Sequence, residues 1–168
     1  MLNTGERVFV HRQLTYERAG APGNPLEMEW AVKRGGEMSF AWKGRQYVFK
    51  EHNAPLVLAI SPRGTPVVVV NAALGRWDAR NNYGCKTPHY VQFEADASGK
   101  HWTWPPAVEP WVIGLPANLL RRVPRPTDHR AQDSAAEVRA VADAATYGSY
   151  ERFVDPGFKP DYCNRKGS

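Results

Sequence analysis

Between Glu37 and Ala72 the polar and apolar positions fall into four short blocks, each with the spacing of a strand. Met38, Phe40 and Trp42 alternate with Ser39 and Ala41, the period of two expected when one face is buried. Lys43-Gly44 follows, with a glycine free to take the positive φ of a tight hairpin turn. Tyr47 and Phe49 then alternate with Val48 and Lys50, so they are placed to meet Phe40 and Trp42 across the hairpin. Leu56 to Ile60 and Val67 to Val70 are different: both are continuous apolar runs, separated by the turn Ser61-Pro62-Arg63-Gly64. Runs so short and rich in β-branched residues predict strands buried on both faces.

The same reading extends along the chain. Glu6 to Glu17 predicts one strand, or two broken near Arg12. Arg18 to Pro25, rich in glycine and proline, predicts a loop. Leu26 to Arg34 alternates as a half-buried strand, and Gly35-Gly36 predicts the turn into the next strand. Ala73 to Pro88 is a long loop, of a length that in a compact domain is functional or disordered. Tyr90, Val91 and Phe93 mark a further strand. Ala95 to Gly99 predicts a turn, and His101 to Trp104 a return strand with Trp102 and Trp104 on one face. Pro116 to Arg122 predicts a short helical turn. Ser134-Ala135-Ala136-Glu137 is a capping box ahead of Val138, Val141, Ala142 and Ala145, so a helix is expected from about 134 to 147.

These elements predict a mainly β protein: an antiparallel sandwich or a barrel-like curled sheet, with one C-terminal helix. The expected organisation is a β domain over 1–124, a linker over 125–133, and a helix and tail over 134–168 packed on the same domain.

Composition adds less. The 168 residues suit one domain, and no run approaches the roughly 20 apolar residues that span a bilayer. The net charge of +5 is dispersed, which weakens a nucleic-acid reading without removing it. The opening Met1-Leu2-Asn3-Thr4 fits a native start or an expression start after a removed export signal. Cys85 and Cys163 can form one disulfide, worth about 4.5 kcal/mol at most by loop entropy. The alternative is two free thiols in a reducing cytosol. The polar tail around Cys163 gives a free thiol little packing role, which favours the disulfide.

Several groups are candidates for chemistry. Cys85 and His89, with Asp78 as orienter, have the residue types of a nucleophile and its base. No Gly-x-Ser-x-Gly elbow is present, and a bonded cysteine on a loop is the plainer reading. Cys85, His89, His101 and Cys163 are zinc-ligand types at spacings that match no familiar zinc pattern, so no metal or other cofactor is expected. His52-Asn53 can bind a polar ligand but more often such a pair caps a connection. His11 and His129 have no ligand-type neighbours. Glu27 and Glu29 share a strand face that reads as solvated. Arg121, Arg122, Arg125 and Arg130 with Trp102, Trp104 and Trp111 offer charge and stacking surfaces to nucleic acid. The tryptophans read better as core or as cover for a sheet.

The strand start Cys85-Lys86-Thr87-Pro88-His89-Tyr90, the Trp102/Trp104 return strand and Asn118-Leu119-Leu120 resemble a group of uncharacterised bacterial proteins, many of them exported. That group shares a Cys-x-x-Pro-x-Tyr strand start and a Trp-containing return strand. The resemblance covers Met38 to Leu120. It implies a bacterial source and an envelope location, and it carries no activity.

The expected function is non-enzymatic binding in a bacterium or its phage, with an unknown protein partner. Arg76, Trp77, Arg80 and Tyr83 are the expected contacts, because they combine aromatic and polar character on the long loop. One alternative is a hydrolase or small-ligand site on the Asp78–His89 loop. Another is nucleic-acid binding through Arg121–Arg130. The expected location is periplasmic or envelope-associated if an export signal was removed, and otherwise cytoplasmic.

Overall fold

The computed structural model describes residues 1–19, 29–51, 55–71, 83–119 and 153–159; for 14–19, 29–35 and 51 it describes the backbone. Seven strands make up this part: β1 (Val10–Ala19), β2 (Glu29–Trp42), β3 (Arg45–Glu51), β4 (Pro55–Ile60), β5 (Pro66–Asn71), β6 (Tyr90–Ala95) and β7 (Trp102–Thr103). They form two antiparallel sheets, β1-β2-β3 and β4-β5-β6-β7. The four expected strands between Glu37 and Ala72 are present, but they divide between the sheets. Among the described residues no closed barrel forms; there are two separate sheets that share one hydrophobic cluster.

The β2–β3 hairpin turns at Lys43 and Gly44, which take φ of 46° and 72°. Positive φ at both central positions matches the right-handed twist of the strands. Phe40 lies opposite Tyr47 with their rings stacked at 5.1 Å, and Tyr47 also meets Trp42. Phe49 pairs instead with Met38 and turns its ring to Phe93 and Trp102 of the other sheet, at 5.1 Å each. Gly35-Gly36 is not a turn. β2 runs through it, and the register slips between Leu14 and Tyr16 of β1, so the extra residues form a bulge inside one long strand.

The core lies on both faces of the second sheet. Leu58, Ile60, Val68, Val70, Val91 and Phe93 pack against Met38, Phe40, Tyr47 and Phe49 of the first sheet. Val57, Ala59, Val67, Val69 and Tyr90 point the other way. They are covered by a third layer made from segments 108–117 and 153–158, with Val112 and Val154 fully buried. Gly114 and Leu115 exchange backbone hydrogen bonds with Val154, and Pro116 forms a β-bridge with Phe153. Over 116–119, the described part of the helical turn expected from Pro116, the chain is not helical; a 3-10 turn lies earlier, at Pro110–Val112. The third layer also explains why β4 and β5 are buried at every residue.

Both lateral openings between the sheets are closed by side chains. Asn118 accepts from the Leu58 amide at 2.8 Å and donates to the Leu58 carbonyl at 2.7 Å. Asn3 makes the same pair with Ile60, at 2.8 and 2.9 Å. Two side-chain amides thus stand in for a neighbouring strand along β4, satisfying backbone groups that an exposed edge would offer to other chains. On the opposite side, Val48 of β3 donates to the Gly99 carbonyl at 3.0 Å and accepts from the Trp102 indole at 2.7 Å. Gly99 takes φ 74°, and a Cβ there would stand 2.7 Å from the Gln46 carbonyl oxygen. Asp96 holds this turn by accepting from the Ser98 and Gly99 amides and the Ser98 hydroxyl.

The expected helix at about 134–147, the linker and the Arg121–Arg130 segment lie outside the described residues. No helix among the described residues is long and apolar enough to cross a membrane.

Candidate binding surface

Tyr83, Phe93, Trp102 and Trp104 meet where β7 ends the second sheet. Phe93 alternates inward on β6 and is buried. Trp102 and Trp104 lie two residues apart, so both turn toward the space between the sheets, as their spacing predicts. Trp102 is half-buried and spends its indole N–H on Val48. Trp104 sits farther out. Its ring contacts Phe93 at 5.6 Å and Tyr83 at 6.0 Å, edge to face, and the residue is 54% exposed. Tyr83 completes the group with an edge contact to Phe93 at 6.3 Å. Edge-to-face pairs add about 0.5–1.5 kcal/mol beyond burial. The cluster is therefore anchored in the core at one end and open to solvent at the other.

Of the four expected contact residues, Tyr83 is placed: half-buried, and packed against this cluster. Arg76, Trp77 and Arg80 lie outside the described residues, as do Asp78, His52, Asn53, His129, Glu27, Cys163 and the Arg121–Arg130 segment. Trp104, like the other tryptophans, reads from sequence as core or as cover for a sheet; the structure leaves half of it in water. Phe9 is more exposed, at 91%, but stands alone, and a single exposed apolar residue is ordinary.

The expected chemical groups do not assemble around an open position. Cys85 carries no free thiol, so it offers no thiolate. His89 is buried, its backbone amide donating to the Phe158 carbonyl at 2.9 Å. Burial pushes its imidazole below the usual range, opposed by a hydrogen bond to the Lys86 backbone. A histidine so placed ties segment 83–89 to the third layer. His101 and His11 are exposed. No three metal-ligand types converge among the described residues.

One polar cluster was not expected. Gln92 on β6 is 2% exposed, with both ends of its amide on Glu109: its Nε2 donates to the carboxylate at 2.7 Å, and its Oε1 accepts from the Glu109 backbone at 3.0 Å. The Trp111 indole donates to the same carboxylate at 2.8 Å. Arg63, from the β4–β5 turn, bridges Glu109 at 3.0 Å and Glu94 at 2.6 Å. Thr65 and Ser61 also donate to Glu94. The donors from Trp111, Gln92 and Arg63 hold Glu109 at a pKa of about 2. Glu94 is also lowered: burial opposes the shift, and Arg63 and Thr65 outweigh it. Every carboxylate oxygen in the cluster has a protein donor. The cluster pins the third layer to the sheet and presents no open acid or base. Alternation along Tyr90, Gln92 and Glu94 was the available hint, since that face must meet something polar.

No protein family matches the chain, and no curated protein or solved structure matches it.

Proposed function

We propose that the protein is a non-enzymatic binding module whose contact surface is the Tyr83–Trp104 aromatic group together with the loop bearing Arg76, Trp77 and Arg80. One observation carries this reading: Trp104 is half exposed while its neighbours fix it from below. A ring held in place loses little side-chain entropy when a partner covers it, and aromatic anchors of this kind dominate protein interfaces. The disposition of Cys85 and His89 supports binding over covalent catalysis. The partner on this reading is a protein of the bacterium or phage that carries the chain. Trp104→Ala, Trp77→Ala and Tyr83→Ala should each deplete the same captured bands in affinity purification from source lysate. Phe9→Ala should leave them unchanged. A capture profile indifferent to all three aromatic changes ends the proposal.

The same reading includes a Cys85–Cys163 disulfide and an oxidising, envelope-type location. Intact mass under non-reducing conditions, with alkylation, should count no free thiols. Two alkylated cysteines would remove both the pairing and its implication for compartment.

A further inference from the structure

Segments 108–117 and 153–158 cover the second sheet together, but they are held differently. Side chains tie 108–117 at each end. Glu109 shares two hydrogen bonds with buried Gln92, and just past the far end Asn118 bonds the backbone of Leu58. Segment 153–158 has one fully buried side chain, Val154. Its backbone exchanges bonds with Gly114 and Leu115 through Val154, and Phe153 bridges Pro116. The Asp155 amide donates to the Tyr90 hydroxyl at 3.3 Å, and the Phe158 carbonyl accepts from the His89 amide at 2.9 Å. The Phe158 ring lies 5.1 Å from that of Tyr90. Phe153, Pro156 and Gly157 are exposed. Ordering a segment costs conformational entropy at every residue, so one buried side chain and these bonds hold it weakly.

A covalent tie lies beside it. Cys85 carries no free thiol, and Cys163 is the chain's only other cysteine. Cys85 stands four residues before His89, and Cys163 five after Phe158. The His89–Phe158 bond and the Cys85–Cys163 pairing proposed above, on which this inference rests, would therefore close one small ring of chain. Cys85 is exposed, and exposed disulfides are the ones open to attack by a thiolate. We infer that this disulfide is a redox latch: it keeps 153–158 on the second sheet, and its reduction by a protein dithiol releases that segment. One thiolate of the dithiol attacks, a mixed disulfide forms, and the second thiolate resolves it. The dithiol leaves oxidised to a disulfide, and its two electrons and two protons end on Cys85 and Cys163 as thiols. The released segment uncovers Tyr90 and part of the apolar face that carries Val57, Val67 and Val69. Segment 108–117 stays in place on its side-chain ties. Losing Phe158 also loosens segment 83–89, which carries Tyr83 of the proposed contact surface.

Amide hydrogen exchange of the full chain, before and after reduction with dithiothreitol, tests this. Peptides containing Val154 and His89 should exchange at least about tenfold faster after reduction. Peptides containing Val68, at the centre of β5, should not change. The double variant Cys85→Ser/Cys163→Ser, left unreduced, should match the reduced wild type, and dithiothreitol should change it no further. Its thermal midpoint is the control for folding. Exchange that ignores reduction overturns the latch. So does a rise at Val68 as large as that at Val154, which would mean that the bond holds the whole fold. Alkylation separates the two ways to fail. Two free thiols in the unreduced protein would remove the pairing itself, whereas none, with unchanged exchange, removes only the latch.

Discussion

The two sheets bury themselves by different means. In β4 and β5 every residue is buried, because the first sheet covers one face and segments 108–117 and 153–158 cover the other. In β2 and β3, over the hairpin, only alternate residues are buried: Met38, Phe40, Trp42, Tyr47 and Phe49 point inward, while Ala41, Gln46 and Lys50 meet solvent. The residue choice follows. A strand pressed from both sides is built from compact β-branched residues that pack on each face. A strand covered on one side fills the gap to its neighbour with large aromatics. The sheet with more coverage should therefore be the less forgiving one.

The largest effect should come from its centre. Leu58→Ala removes a side chain that is 1% exposed and should cost about 2–5 kcal/mol in denaturant-derived stability. Gln46→Ala, on the solvent face of β3, should stay within about 0.5 kcal/mol. Similar losses for the two would mean that the sheets do not differ as described. Asn118→Ala comes next. It strips partners from the amide and carbonyl of Leu58, and buried backbone groups left unpaired cost about 1–3 kcal/mol each. Hydrogen exchange at Leu58 should accelerate with it, and an unchanged exchange rate would mean that β4's edge is protected by something else.

On the opposite side of the two sheets, Gly99→Ala sharpens the comparison in another way. A left-handed alanine costs about 1–2 kcal/mol, and the approach to the Gln46 carbonyl adds to that. Gly64→Ala shares the positive φ and meets nothing within 4 Å. The excess loss at Gly99 over Gly64, read from thermal midpoints, isolates the steric part; no excess would mean that the β3 closure can move aside.

The smallest effect concerns the third layer and acid. Glu109 has its folded pKa lowered to about 2 from an ordinary 4.5. A depressed folded pKa means stability that is present above the ordinary value and is lost as pH falls toward about 2. Unfolding midpoints of the wild type should decline over that window, and Glu109→Gln should flatten part of the decline. Parallel pH profiles for the two proteins would show that Glu109 does not anchor the layer through its charge.

Much of this was legible along the chain because burial on one face or two leaves different local patterns. Alternation marked Met38, Phe40 and Trp42, and unbroken runs marked Leu56 to Ile60 and Val67 to Val70, before any contact was known. Lys43-Gly44 announced its hairpin because few residues accept the positive φ that such a turn requires. Gly35-Gly36 misled for a related reason: a glycine pair permits a turn and a bulge alike, and only the neighbouring strand decides between them.

What the sequence could not contain was the partner of each face. Gln92 alternates as a solvent-facing residue would, and becomes interior only because Glu109, seventeen residues later, folds back over it. Asn3 and Asn118 are unremarkable polar residues until they lie beside β4, 57 and 60 positions away from the backbone groups they satisfy. Trp104 reads as core or as cover for a sheet and is half exposed because β7 ends the sheet there. Strand identity is a local property, set by the period of the side chains and by the torsions that turns allow. Division into two sheets, closure of their edges and placement of the aromatic surface depend on contacts between distant segments, so tertiary structure alone decided them.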